Sequence, residues 1–153
     1  MSTTYEHSII INRPIDVVYK NATCLKGCVN WQASVNSAEQ VSEGPVQVGT
    51  LYKHNIKFMG MSAQTMPVVT RLNPPYEFGF QQSNAPVPFE SIFVFEEVPG
   101  GTKFTCRIES ELSQKLLGKV AMPVFLGALK RQFDSDMSTL KELLESDVTV
   151  HAQ

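Results

Sequence analysis

The chain has 153 residues, 42% of them hydrophobic, and a formal net charge of −2. That length suits a single domain with a real hydrophobic core, read here as spanning residues 1–153. The near-balanced charge excludes the basic footprint of a nucleic-acid binder, and no run of lysine or arginine addresses an anionic membrane surface.

The N-terminal residues lack the basic and apolar regions of a secretory signal, and residues 120–129 are too short an apolar stretch to span a bilayer. A soluble, cytoplasmic protein without integral membrane association is expected. Residues 8–11 are β-branched and apolar and predict an opening strand. Asn12 and Pro14 then mark a helix start, with Asn near the cap and Pro in the first turn. Ile15, Val18 and Ala22 supply the apolar face of a short helix, and a second turn or helix is expected over residues 25–29. Cys24 and Cys28 sit four apart in this patch. Without a second Cys or His pair at matching spacing, they read as small buried or half-buried thiols rather than metal ligands. No metal and no cofactor is expected.

Trp31 follows, the single tryptophan. Residues 34–42 alternate weakly and end in the Glu43-Gly44-Pro45 turn. Residues 50–58 form a clear strand, with Tyr52, His54, Ile56 and Phe58 on one face and Leu51, Lys53, Asn55 and Lys57 opposite. Met59-Gly60 predicts a hairpin tip. Residues 62–72 read as one strand that places Gln64, Met66, Val68, Thr70 and Leu72 together, with Pro67 requiring an edge position or a bulge.

Asn73-Pro74-Pro75 turns the chain, and residues 76–82 direct Phe78, Phe80 and Gln82 to one side. After a turn at 83–86, residues 87–98 put Phe89, Ser91, Phe93 and Phe95 on a common face. Pro99-Gly100-Gly101 supplies a tight hairpin. Beyond it Phe104, Cys106, Ile108, Ser110 and Leu112 oppose Lys103, Thr105, Arg107, Glu109 and Glu111, one buried face against one wet face.

As a single helix, residues 114–145 would be roughly 48 Å long at 1.5 Å per residue. A domain of this size is only about 38 Å across. Pro123 also lacks a backbone donor. A short helix before Pro123 and a long one after it is therefore expected. Leu126, Leu129, Phe133, Met137, Leu140 and Leu144 form its inward stripe, with Lys130, Arg131, Asp134, Asp136, Lys141, Glu142 and Glu145 solvated. The predicted class is α+β: a seven-stranded antiparallel sheet curled around a long C-terminal helix, with two short helices after strand 1. Such a sheet leaves a cavity between itself and the helix.

Catalytic motifs are thin: there is no Gly-x-Ser-x-Gly, phosphate-binding loop or His-Glu-x-x-His. His54 is the weak catalytic candidate, lying on the apolar face of its strand. It reads as a core histidine satisfied by a backbone carbonyl or water, or as a group that orients a ligand carbonyl or moves a proton. Gln64, Gln82, Ser91 and Ser110 share inward faces. A packed core accepts such groups poorly, because each unmatched one costs about 1–3 kcal/mol, whereas a filled cavity accepts them readily.

Five segments carry a family resemblance. They are Ile9-Ile10-Ile11-Asn12-Arg13-Pro14-Ile15-Asp16-Val17-Val18-Tyr19, then Trp31, then Gly44-Pro45-Val46-Gln47-Val48-Gly49-Thr50. The turn ending Pro99-Gly100-Gly101-Thr102 and the closing Leu140-Lys141-Glu142-Leu143-Leu144-Glu145 complete the set. The chain resembles the START-like (SRPBCC) helix-grip superfamily over residues 4–146, and within it the polyketide cyclase/dehydratase-like group. The resemblance implies a ligand pocket between the concave sheet and the long helix. Mapped onto this chain, it is lined by Trp31, Tyr52, His54, Gln64, Met66, Phe80, Gln82, Phe89, Ser91, Phe93, Cys106, Leu129 and Phe133.

The function expected first is binding or transport of a hydrophobic small molecule (lipid, polyketide or quinone-like). A polyketide cyclase, aromatase or dehydratase is the second reading, and an interaction module with a vestigial cavity the third. The implied partner is the small molecule itself, with the protein a monomer or homodimer.

Overall fold

The computed structural model describes residues 2–25, 27–58, 60–82, 89–111 and 122–146. Among them are β1 (Ser2–Ile11), α1 (Ile15–Ala22), a 3₁₀ turn (Cys28–Asn30), β2 (Val35–Gln40), β3 (Tyr52–Phe58) and β4 (Met61–Thr65). β5 (Val68–Asn73), β6 (Glu77–Gln82), β7 (Phe89–Val98), β8 (Gly101–Glu111) and α2 (Met122–Ser146) follow. The expectations for Met59, the 83–86 turn with Val87, Leu112, a helix ahead of Pro123, and the side chains of Phe58, Ser110 and Leu126 lie outside the described residues.

The α+β class, the antiparallel pairing and the C-terminal helix are as the sequence implies, and the arrangement is consistent with a helix-grip. The strand count is corrected. Eight strands form two antiparallel sheets among the described residues, one ordered β1-β8-β7-β6-β5 and the other β2-β3-β4. The difference arises at Met66-Pro67, where the strand expected over residues 62–72 divides into β4 and β5. Proline has no N–H to give to a ladder, so pairing stops there. The carbonyl of Pro67 still accepts from the Tyr52 N–H at 2.9 Å, and the Val69 N–H donates to Thr50 O at 3.0 Å. The chain thus turns a corner that joins the two sheets.

β1 begins earlier than residues 8–11 and pairs along its whole length with β8. Pro14 occupies the position before α1, and its carbonyl accepts from the Val17 and Val18 N–H groups at 3.1 Å. Asn12 does not cap this helix. Its N–H donates to Glu145 Oε2 at 2.7 Å.

Pro123 stands in the first turn of α2, where its missing N–H would have no intrahelical partner in any case. At 25 residues, α2 runs about 37 Å. One buried cluster takes Ile11 from β1, Val18 and Ala22 from α1, and Phe78, Phe93 and Phe104 from the larger sheet. Tyr52 joins it from the smaller sheet, and Met137, Leu140 and Leu144 from α2. The face of each sheet that enters this cluster is its inner face.

Candidate functional site

Strand alternation puts the candidates on the inner faces. On β3, Tyr52 and His54 are buried while Asn55 and Lys57 are exposed. On β6 and β7, Phe80, Gln82, Ser91 and Phe93 are buried, and Phe89 packs against the cluster from its margin. Cys106 lies buried on β8. Trp31 sits just past the 3₁₀ turn, its ring 6.2 Å from Phe93 and 6.4 Å from Phe104 between centroids. From α2, Leu129 and Phe133 are partly buried against the same cluster, and Phe133 meets Phe89 edge-on at 6.5 Å. Met66 is half-buried in the link between sheets.

Gln64 is the exception, and its expected inward position is corrected. It is exposed, paired in register with Asn55 on the outer face, and its Nε2 donates to Asn55 Oδ1 at 3.4 Å. The single-strand reading of residues 62–72 set the wrong parity. Thr65 points inward instead, fully buried, as the cross-strand partner of His54.

His54 is buried and lies edge-on to Tyr52. Its Nε2 is 3.2 Å from the Leu25 carbonyl, which also accepts from the Cys28 thiol at 3.1 Å. A carbonyl can only accept, so Nε2 carries the proton and Nδ1 the lone pair. Burial lowers the His54 pKa, only partly offset by the Leu25 hydrogen bond. The ring is neutral at pH 7.

Burial pushes the Cys28 thiol up to about 12, and burial likewise raises Cys106. Neither is a thiolate nucleophile. Cys24 is exposed, and no group of three or more His, Cys, Asp or Glu side chains is placed to hold a metal among the described residues.

Five inner-face atoms are buried without a hydrogen-bond partner among the described residues: Trp31 Nε1, His54 Nδ1, Thr65 Oγ1, Gln82 Oε1 and Ser91 Oγ. Trp31 neighbours Phe93, His54 neighbours Tyr52 and pairs with Thr65, and Ser91 and Gln82 pair in register with Phe80 and Phe89. Polar atoms and aromatic side chains thus share the inner faces of the two sheets. Two surface hollows, of about 480 Å³ at the end of α2 and about 320 Å³ at the entry to α1, include none of the candidates.

Sequence reasoning missed Thr65 and Asp136. Asp136, expected to be solvated, is buried. Its Oδ1 accepts from the Ala33 N–H at 3.1 Å and Gln132 Nε2 at 2.8 Å, fastening the segment after Trp31 to α2. The missed signal was spacing: residue 136 falls three after Phe133 and four before Leu140, inside the apolar stripe. Burial raises its pKa against the lowering effect of those two hydrogen bonds.

The family described as polyketide cyclase / dehydrase and lipid transport matches residues 2–145. No curated protein matches the chain by sequence. Among solved structures, the di-domain ARO/CYC BexL from the BE-7585A biosynthetic pathway aligns with a TM-score of 0.79 at 17% identity. That alignment covers 95% of this chain and 51% of BexL, so the chain spans about half of BexL's length. The Zhui aromatase/cyclase from Streptomyces sp. R1128 aligns with a TM-score of 0.79 at 14% identity, covering 95% of this chain and 94% of that one. A START superfamily protein from Mycobacterium smegmatis gives a TM-score of 0.77 at 9% identity, covering 93% and 97%. At these identities the likeness is one of fold. Among the described residues, no helix is long and apolar enough to cross a membrane.

Proposed function

The chain belongs to the polyketide cyclase / dehydrase and lipid transport family, and from that premise we propose that it binds or carries a hydrophobic small molecule. The molecule is lipid-, polyketide- or quinone-like and sits between the inner faces of the sheets and α2. One observation carries this reading: five polar atoms buried without a partner among the described residues, on inner faces that also carry aromatic side chains. In a packed core each would cost about 1–3 kcal/mol, a large sum against the roughly 5–15 kcal/mol by which a domain is stable. A bound molecule supplies the missing partners. A vestigial, filled cavity does not, which disfavours an interaction module.

The test is mass spectrometry of organic extracts from gently purified protein, followed by titration with the apolar fluorophore N-phenyl-1-naphthylamine. A co-purifying apolar molecule and saturable fluorescence enhancement are expected. Absence of both sinks the reading.

A second reading, a cyclase, aromatase or dehydratase, draws on the bare Nδ1 of neutral His54. Such a nitrogen can accept a proton from a substrate. That two of the structures it resembles are aromatase/cyclases supports this reading. If His54 is the base, His54→Gln cuts turnover by roughly 10²–10⁴-fold with little change in binding. If it only orients the ligand, the loss is in affinity.

A further inference from the structure

We propose that His54 and Thr65 form a two-point subsite that recognises a hydroxyl group on an otherwise apolar ligand. The proposal rests on the binding reading above and specifies the chemistry of one end of the ligand.

The placement follows from strand register. β3 and β4 are antiparallel, and His54 and Thr65 are direct cross-strand partners, so their side chains leave the same face of the sheet. Cβ atoms of such partners are about 4.5–5.5 Å apart. Exposure is 1% at His54 and 0% at Thr65. Both His54 Nδ1 and Thr65 Oγ1 lack a partner among the described residues, so they do not bond each other.

The polarity of the pair is set by the protein. Nε2 gives its proton to the Leu25 carbonyl at 3.2 Å, which leaves Nδ1 an obligate acceptor. Thr65 Oγ1 has both a proton to give and lone pairs. A ligand hydroxyl answers both groups, donating its O–H to Nδ1 while its oxygen accepts from the Thr65 O–H. A ketone or ether oxygen answers Thr65 alone and leaves the imidazole lone pair facing another lone pair. The sequence reads His54 as a core histidine satisfied by a backbone carbonyl, which Leu25 supplies, or as a group that orients a ligand carbonyl; the tautomer set by Leu25 reverses the polarity of the second reading. Depression of the His54 pKa by burial keeps the acceptor unprotonated at neutral pH.

The experiment compares 2-naphthol with 2-methoxynaphthalene, which share a ring system and differ in the hydroxyl proton. Binding is followed by fluorescence at pH 7.5 in wild type, Thr65→Val and His54→Phe. Wild type is expected to favour 2-naphthol at least fivefold. Thr65→Val, a near-isosteric change, should lower the affinity for both probes several-fold, since each oxygen accepts from the Thr65 hydroxyl, and leave Tm unchanged or raised because an unpaired hydroxyl is gone. His54→Phe should abolish the preference, and the conclusion stands on Thr65→Val should that variant not fold.

Equal affinity of wild type for the two probes overturns the subsite while leaving the pocket intact. So does a Thr65→Val protein with lowered Tm and undiminished affinity for both probes, since the hydroxyl would then be a structural group. Failure of wild type to bind either probe overturns the subsite and the pocket together.

Discussion

Acidification acts on His54 and Asp136 in opposite directions, because burial penalises whichever form carries the charge. For His54 the folded pKa is lowered from its ordinary value of 6.5. The unfolded chain therefore takes up the proton first. The stability this group contributes is fully present above pH 6.5 and is lost as the pH falls from there through the folded value. For Asp136 the folded pKa is raised above its ordinary 3.8, so the folded chain takes up the proton first and stability is gained as the pH falls through that value towards 3.8. Urea unfolding between pH 8 and pH 5 separates the two. His54→Gln should flatten the loss that wild type shows below pH 6.5, and Asp136→Asn should leave that loss in place. A wild-type profile whose decline His54→Gln does not alter would show that the imidazole is not the titrating group.

At the scale of elements, the β7–β8 hairpin shows how a turn fixes a neighbour's position. Gly100 has a φ of +84°, in the left-handed region that favours glycine. Gly101 serves a different purpose: an added Cβ would lie 2.3 Å from the Ile11 carbonyl oxygen and 3.0 Å from the Asn12 Cα. These atoms are all backbone, so no flexible side chain is there to yield. Gly101→Ala should therefore cost about 1–3 kcal/mol, the range for overpacking, read as a lowered urea midpoint. An unchanged midpoint would mean that β1 moves away freely.

Much of this architecture is legible in the chain because strand alternation alone assigns faces. Tyr52 and His54, then Ser91, Phe93 and Phe95, then Phe104, Cys106 and Ile108 are buried at alternate positions, although Ile92 and Thr105 between them are buried as well. Parity fails where a local event interrupts it. Pro67 ends a ladder, and a register shift between Val69 and Arg71 brings Val69 and Leu72, rather than a strict alternation, opposite Phe80 and Phe78. Burial at Thr65, Pro67 and Val69 keeps one alternation through the proline, so counting back from Leu72 without the later shift turns Gln64 rather than Thr65 inward. Asp136 escaped because polarity was weighed before its place on the helix. The tautomer of His54 depends on the Leu25 carbonyl, 29 residues away in sequence, and no local pattern encodes that contact.

At the scale of the whole molecule, the polar ties between α2 and the rest of the chain, among the described residues, are densest towards the helix's C-terminal end. Arg13 Nη1 donates to Leu144 O at 2.7 Å, the Asn12 N–H donates to Glu145 Oε2 at 2.7 Å, and Lys141 reaches both Glu145 and the Ile10 carbonyl. Arg13 thus gives a cation and a donor to a carbonyl in the last turn of α2. Further back, Asp136 holds Ala33, and Tyr5 donates to Asp134. Burial follows the same gradient: Met137, Leu140 and Leu144 are buried, whereas Leu129 and Phe133 are only partly so. Among the described residues, α2 is therefore held most closely over its last three turns. Local opening free energy scales with such contacts, so amide hydrogen exchange should be slower over residues 136–142 than over residues 127–133. N-phenyl-1-naphthylamine should slow exchange chiefly over residues 127–133. Arg13→Ala should lower global stability by about 1 kcal/mol, speed exchange only over the last turns of α2, and leave probe affinity unchanged. Exchange that is uniform along α2, or probe affinity that falls with Arg13→Ala, would show instead that the helix responds as one rigid unit.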